Sequence, residues 1–376
     1  MTTAADRPTI LIAGGGTGGH TSPGLAVAAA LADRGVACAW IGSAGGVEAR
    51  LVPGRGIPYH AIRTGKLRRY WAWRNAVDLG VNVPAGAAAA WRLVGRLRPR
   101  VVFATGGFVA LPAAAAAAAR GVPIVVHEQT AVPGLANRLI ARLARRVAVT
   151  FPDDTAAFAP GKVVVTGNPL RPELRGGSRA EAAARFGLDP ALPLVYVTGG
   201  AQGAHAINRA LGEILEPLLA QAQVVHQCGD QPATGDRAWL EARRAALPPA
   251  LARRYTVVPY VGAELAGLYA AAALVLGRAG AGTVNECCQL GVPALYVPLP
   301  GTSGDEQTAN ARLVERAGGG AVLPQAGLTP ARLLERLRSL LAEPAALEEM
   351  GERARTLAVP DAADRLVRLL LEVAER

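Results

Sequence analysis

Several common chemical tools are missing from this 376-residue chain. No glycine loop ends in GK[ST], which argues against a P-loop NTPase. There is also no GxSxG elbow and no HExxH helix, the usual marks of serine hydrolases and zinc proteases. No DxD pair is present, so the sequence implies no metal on a donor diphosphate. The four cysteines, Cys38, Cys228, Cys287 and Cys288, form no CxxC pair and have no histidine at metal-ligand spacing; they read as core thiols of a reduced, cytosolic protein. The longest apolar run, residues 109–119, contains Pro112 and ends at Arg120. With no signal-type segment at the N-terminus, neither secretion nor a membrane span is expected. Aromatics make up only 5% of residues, whereas Ala and Gly are abundant, a composition suited to helices packed closely on parallel sheets.

Acidic residues are scarce in one half only. Residues 1–168 carry 19 Lys+Arg against 7 Asp+Glu, net +12, and residues 169–376 carry 21 against 22, net −1, which together make the overall +11. Residues 63–100 hold nine of the basic side chains and one acid, Asp78, together with Tyr70, Trp71, Trp73 and Trp91. Arginines interleaved with tryptophan suit a surface lying on an anionic membrane, with indoles at the headgroups and guanidiniums on lipid phosphates. A nucleic-acid surface would share that composition, and a solvated helix pair with core tryptophans would also produce it.

Strand-like runs at residues 9–13, 37–41, 101–105, 123–127, 147–150 and 163–166, and again at 194–198, 223–227, 255–259, 274–277, 294–297 and 320–323, alternate with helical patterns and predict parallel sheets. The chain length allows two domains, each with its own core. The break is expected at Gly167-Asn168-Pro169-Leu170-Arg171-Pro172, giving domains over 1–168 and 169–360. Of the three helical patterns that close the chain, the last, about 361–376, is expected to pack back on the first domain.

Each domain opens with a strand, a glycine loop and a helix: Gly14-Gly15-Gly16-Thr17-Gly18-Gly19-His20 before a helix at 22–31, and Gly199-Gly200-Ala201-Gln202-Gly203-Ala204-His205 before one at 206–219. Loops this poor in side chains let backbone N–H groups approach a phosphate, and the following helix N-terminus adds partial positive charge. Gly14, Gly16 and Gly19 satisfy GxGxxG, but a dinucleotide site needs an acid at the end of the second strand, and that strand ends Trp40-Ile41-Gly42-Ser43. What remains is a cleft between two domains with polar residues on strand-end loops, as a sugar-nucleotide site would have.

Gly15-Gly16-Thr17-Gly18-Gly19-His20 with Pro23, Thr105-Gly106-Gly107-Phe108, and His127-Glu128-Gln129 with Pro133-Gly134-Leu135-Ala136-Asn137 form the first part of a longer motif set. Gly167-Asn168-Pro169 with Arg171, Gly199-Gly200 with Gln202-Gly203-Ala204, and residues 277–286 with Gln307 and Asn310 complete it. In order and spacing, over nearly the whole chain, the set resembles the bacterial peptidoglycan glycosyltransferase family MurG. The resemblance implies a GT-B fold: α/β, two Rossmann-like domains whose parallel sheets face an interdomain cleft. It implies inverting transfer of N-acetylglucosamine from UDP-GlcNAc to the C4 hydroxyl of the muramoyl sugar of undecaprenyl-linked lipid I, giving lipid II, with no cofactor beyond the donor substrate. It also implies a peripheral place on the cytoplasmic face of the cell membrane, partners among cell-wall and division proteins, and no nucleic acid. Membrane contact would fall on Arg68, Arg69, Trp71, Trp73 and Trp91.

By the same resemblance, the backbone at Val261 reads the uracil edge and Glu286 the ribose hydroxyls. Ala281, Gly282 and Thr283, with Val284 and Asn285 behind them, hold the diphosphate at a helix N-terminus, and Gln307 holds the sugar. Thr17, Gly18 and Gly19 meet the donor sugar and the acceptor diphosphate, while Thr130 and Arg171 occupy two further donor positions. Two residues depart from the family pattern: Thr130 stands where Asn is common, and Ala201 where Ser is, so Ala201 can offer only its backbone N–H. His20, an imidazole beside the glycine loop, is the expected general base, with Glu128 in reserve. A related transferase acting on a diacylglycerol or small aglycone, or a non-catalytic nucleotide-sugar binding protein, would share parts of this pattern.

Overall fold

The protein is described from a computed structural model covering residues 9–64, 82–152 and 157–375. The chain forms two compact units, residues 1–171 with 359–376 and residues 172–358.

In the first unit, β1 (Ile10–Gly14), β2 (Cys38–Ser43), β3 (Tyr59–Ile62), β4 (Val101–Gly106), β5 (Ile124–Glu128), β6 (Arg146–Val149) and β7 (Val163–Val165) form a parallel sheet in the order β3-β2-β1-β4-β5-β6-β7. The edge strand β3 is absent from the sequence reading. It has only Ile62 buried among half-buried and exposed neighbours, and so carries neither a clean alternation nor an apolar run. Side chains alternate across the sheet. Leu11, Ala13, Val102 and Ala104 face the Val83–Leu97, Ala110–Ala119 and Leu135–Leu143 helices, while Ile10, Ile12 and Phe103 face the Gly18–Ala32 and Ala362–Glu375 helices. The C-terminal helix contributes Leu366, Val367, Leu369, Leu370 and Val373 to that second core. Arg34 and Asp364 pair across the two helices at 2.7 Å.

The second unit holds β8 (Leu194–Thr198), β9 (Gln223–Gln227), β10 (Tyr255–Val258), β11 (Ala272–Gly277), β12 (Ala294–Tyr296) and β13 (Gly320–Val322), again all parallel, in the order β10-β9-β8-β11-β12-β13. In both sheets the order reverses beside the first strand, between β1 and β4 and between β8 and β11. Connecting helices leave in opposite directions there and open a crevice at the carboxyl ends of the strands. Each glycine loop follows that first strand, so backbone topology alone places both loops at switch points.

Candidate active site

The first glycine loop is shorter than its composition suggests. Thr17 adopts the extended N-cap conformation, its carbonyl accepts from the Thr21 N–H at 3.2 Å, and the helix begins at Gly18 rather than at residue 22. Gly18, Gly19 and His20 therefore form its first turn, and Thr17 offers no side-chain cap to the N–H groups there. The loop is braced from below by a residue the sequence reading missed. Glu48, fully buried, accepts from Gly16 N–H at 2.8 Å, Ser43 N–H at 2.9 Å and Ser43 Oγ at 2.6 Å. A Cβ on Gly15 or Gly46 would overlap its carboxylate, so these two glycines make room for Glu48. A trace was readable: an acid does follow the second strand, but five residues beyond its end, and it turns inward to the loop instead of outward to a ribose.

His20 is half-buried against the end of β4, with Nδ1 3.1 Å from the Thr105 carbonyl oxygen and 3.1 Å from Gln129 Oε1. Gly106, at φ +107°, admits the ring; a Cβ there would come 2.7 Å from His20 Nδ1. Behind it, His127 is fully buried with Nε2 3.0 Å from the Gly167 carbonyl, and burial pushes its pKa down to about 4, so it is neutral. Glu128 is buried as well. Its carboxylate accepts from Thr130 N–H (3.0 Å), Thr130 Oγ1 (2.7 Å), Asn137 Nδ2 (2.9 Å) and Gly134 N–H (3.3 Å). These bonds fasten the loop after β5, and the geometry suits Glu128 as its clamp rather than as a base facing a substrate. Thr130 is half-buried, its hydroxyl between Glu128 Oε1 and the Val132 carbonyl, and Arg171 is the half-buried last residue of the unit's first segment.

In the second unit a cavity of about 520 Å³ opens beside the other glycine loop. Two helix N-termini converge on it. The His205–Gly212 helix, capped only by the backbone of Ala204, brings Gly203, Ala204 and His205, and the Ala281–Leu290 helix, capped by Gly280, brings Gly280 and Thr283. Neither has a side-chain cap, so the first-turn N–H groups are open to an anion, each helix end worth about 0.3–1 kcal/mol of attraction. Gln307, with Oε1 accepting from Leu299 N–H at 3.0 Å, lines the same space and keeps its amide NH₂ for a ligand. So does Arg278, absent from the predicted set though it follows β11 directly. It donates to the Val297 carbonyl at 2.9 Å and to Gln325 Oε1 at 2.6 Å, and burial lowers its pKa.

The remaining predicted residues stand around this cavity without lining it. Ala201 is exposed on the loop, while Ala281, Gly282, Val284 and Asn285 lie in the helix that bounds it. Glu286 is nearly buried and accepts from Tyr269 Oη at 2.8 Å. Val261 donates its N–H to Gln227 Oε1 at 3.2 Å, so a base edge could meet only its carbonyl. Among the described residues no group of three His, Cys, Asp or Glu side chains could hold a metal ion, and no helix is long and apolar enough to cross a membrane. Arg68, Arg69, Trp71 and Trp73 lie outside the described residues. Trp91 is 42% exposed on the Val83–Leu97 helix, with the Arg120 guanidinium stacked 3.9 Å from its ring centre.

Comparison with known proteins shows the family and the fold. The glycosyltransferase family 28 N-terminal domain matches residues 10–149 and the family's C-terminal domain residues 194–366. A UDP-N-acetylglucosamine–N-acetylmuramyl-(pentapeptide) pyrophosphoryl-undecaprenol N-acetylglucosamine transferase of Nocardioides sp. is 42% identical, covering 97% of this chain and 98% of the relative. Its namesake from Halorhodospira halophila is 40% identical over the same shares. The crystal structure of Acinetobacter baumannii MurG matches with a TM-score of 0.73 and 31% identity, covering 97% of this chain and 99% of that one. The chain belongs to glycosyltransferase family 28 and has its two-domain GT-B fold.

Proposed function

We propose, from that membership, that the chain transfers N-acetylglucosamine from UDP-GlcNAc to the C4 hydroxyl of undecaprenyl-linked N-acetylmuramyl-pentapeptide, lipid I, to form lipid II. The observation that carries this reading is the near end-to-end match, at about 40% identity, to transferases named for this reaction. The donor's diphosphate suits the second unit's cavity, where two open helix N-termini and Arg278 meet its charge, with Thr283 beside it and Gln307 placed for the sugar. Glu286 and the Val261 carbonyl are then the residues for ribose and uracil. Thr17, Gly18 and Gly19 take the acceptor and donor-sugar side, and Thr130 and Arg171 two further donor positions. An alpha-linked donor and a beta-linked product require one inverting displacement at C1. The base takes the C4 hydroxyl proton as the oxygen attacks, and UDP departs with its negative charge stabilised by the helix ends. His20 is that base, since Glu128 is committed to its loop.

Transfer of radiolabelled N-acetylglucosamine to a lipid I analogue, undiminished by EDTA, is the expected result; no transfer, with UDP-GlcNAc still bound, would leave only a nucleotide-sugar binding protein. The reading also places the protein peripherally on the cytoplasmic face of the membrane, within reach of cell-wall and division proteins. Changing Arg68, Arg69, Trp71 and Trp73 together to Ser is expected to lower partition onto anionic vesicles and to spare turnover on a soluble acceptor. Undiminished vesicle binding would move the membrane contact elsewhere.

A further inference from the structure

Four polar groups run inward from His20 in a line whose hydrogen-bond directions can be assigned from its far end. The Gly167 carbonyl can only accept, so the His127 Nε2 facing it at 3.0 Å carries the proton. The ring is neutral at its depth, which leaves Nδ1 as an acceptor. Gln129 brings one end of its amide within 3.2 Å of that nitrogen, 3.0 Å of the His127 carbonyl and 2.7 Å of the Thr105 carbonyl. Three acceptors around one end require it to be the NH₂, so the oxygen must occupy the other end, and that oxygen faces His20 Nδ1 at 3.1 Å beside the Thr105 carbonyl. Both oxygens offer only lone pairs. A lone pair on Nδ1 would oppose them both, whereas a proton there satisfies them.

We propose that Gln129, oriented by His127 and the Thr105 and His127 carbonyls, is a positioning residue that holds His20 in the Nδ1-protonated tautomer. Nε2 is thereby left as the nitrogen with the free electron pair. The inference rests on His20 being the base, and it deepens that role: it names the nitrogen that accepts the acceptor hydroxyl's proton and the residue that keeps it unprotonated beforehand. It also gives Gln129 a task in the proton transfer without contact to either substrate.

Long-range ¹⁵N–¹H correlation spectra of the histidine-labelled full-length protein, with the His20 ring assigned by its loss in His20→Ala, read the tautomer directly. The expected result is an Nδ1–H pattern for His20 in the unaltered protein. In Gln129→Met, which keeps the volume and removes the amide, the spectrum is expected to shift toward Nε2–H, with kcat lowered about tenfold, less than the roughly hundredfold or more expected when general acid–base catalysis is lost outright, and KM for UDP-GlcNAc within about twofold. An Nε2–H pattern in the unaltered protein, or an unchanged kcat in Gln129→Met, would overturn the proposal. If Gln129→Met fails to fold, the unaltered protein's spectrum still decides. Full turnover in His20→Ala would refute the base reading separately and leave the tautomer result as it stands.

Discussion

The two glycine loops share a sequence signature and a place in the fold, yet their surroundings differ. The first rests on a buried carboxylate: Glu48 occupies the Gly16 N–H, and His20 turns its Nδ1 inward to Thr105 and Gln129. In the second, among the described residues, no carboxylate takes a glycine-loop N–H; the buried Asp236 instead holds His205, Asn208 and Arg209. This loop's Gly200 N–H bonds to the Thr198 hydroxyl, its helix end, uncapped by a side chain like the first, faces a cavity, and its histidine, His205, is more than half exposed with Nδ1 2.7 Å from Asp236. An uncapped helix N-terminus facing a cavity favours an anion there. The same glycine pattern thus sits over a buried acid in one unit and opens on a cavity in the other.

The comparison can be strained first by acid, because each unit hides one neutral histidine. His127 has its pKa pushed down to about 4 and His226 to about 3, both by burial, from an ordinary 6.5. Above pH 6.5 neither the folded nor the unfolded chain binds these protons. Between 6.5 and about 4 the unfolded chain takes them up and the folded one does not, so stability falls with pH by roughly 1.4 kcal/mol per unit for each histidine. Urea midpoints are expected to drop steeply across that window; half the slope would show that one of the two is not held neutral, and a flat profile that neither is.

Backbone space is the next contrast. Gly203 has φ +73° and a Cβ there would overlap the Cys228 carbonyl, whereas Gly16 has φ +87° with nothing within 4 Å. Gly203→Ala should cost about 3–5 kcal/mol, through strain and overlap together, and Gly16→Ala about 1–2 kcal/mol, through strain alone. Equal losses of stability in thermal unfolding would erase the distinction.

The smallest effect in free energy separates the histidines. His20→Ala should reduce turnover by more than about a hundredfold, ~2.7 kcal/mol, while leaving UDP-GlcNAc affinity nearly intact. His205→Ala, which removes one hydrogen bond to the buried Asp236 and leaves that carboxylate its bonds to Asn208 and Arg209, should lower kcat by no more than about fivefold. Steady-state kinetics with matched donor titrations check both, and a reversed ranking would exchange the roles of the loops.

Much of this was legible in sequence because it is local. A strand period of two, a helical period, and a glycine run between them are written over ten or fifteen neighbouring residues, and twelve of the thirteen strands among the described residues follow from them. The weak edge strand β3 escaped because its burial is set by the neighbouring strand and not by its own pattern. At the site, His20 and Gln307 stood out as polar groups at strand ends. Glu48, lying 32 residues from the Gly16 it holds, did not.

By itself the sequence determined a parallel α/β protein with a glycine loop opening each half, and, through its motif order, the family. Only the tertiary structure decided which way side chains turn. It directed Glu48 under one loop, bound Glu128 to its own loop, occupied the Val261 N–H, and aimed the Gln129 oxygen at His20. Such directions depend on acceptors brought together from distant segments, 85 residues between His20 and Thr105 and 109 between His20 and Gln129, and a buried polar group takes the orientation that satisfies all of its neighbours at once.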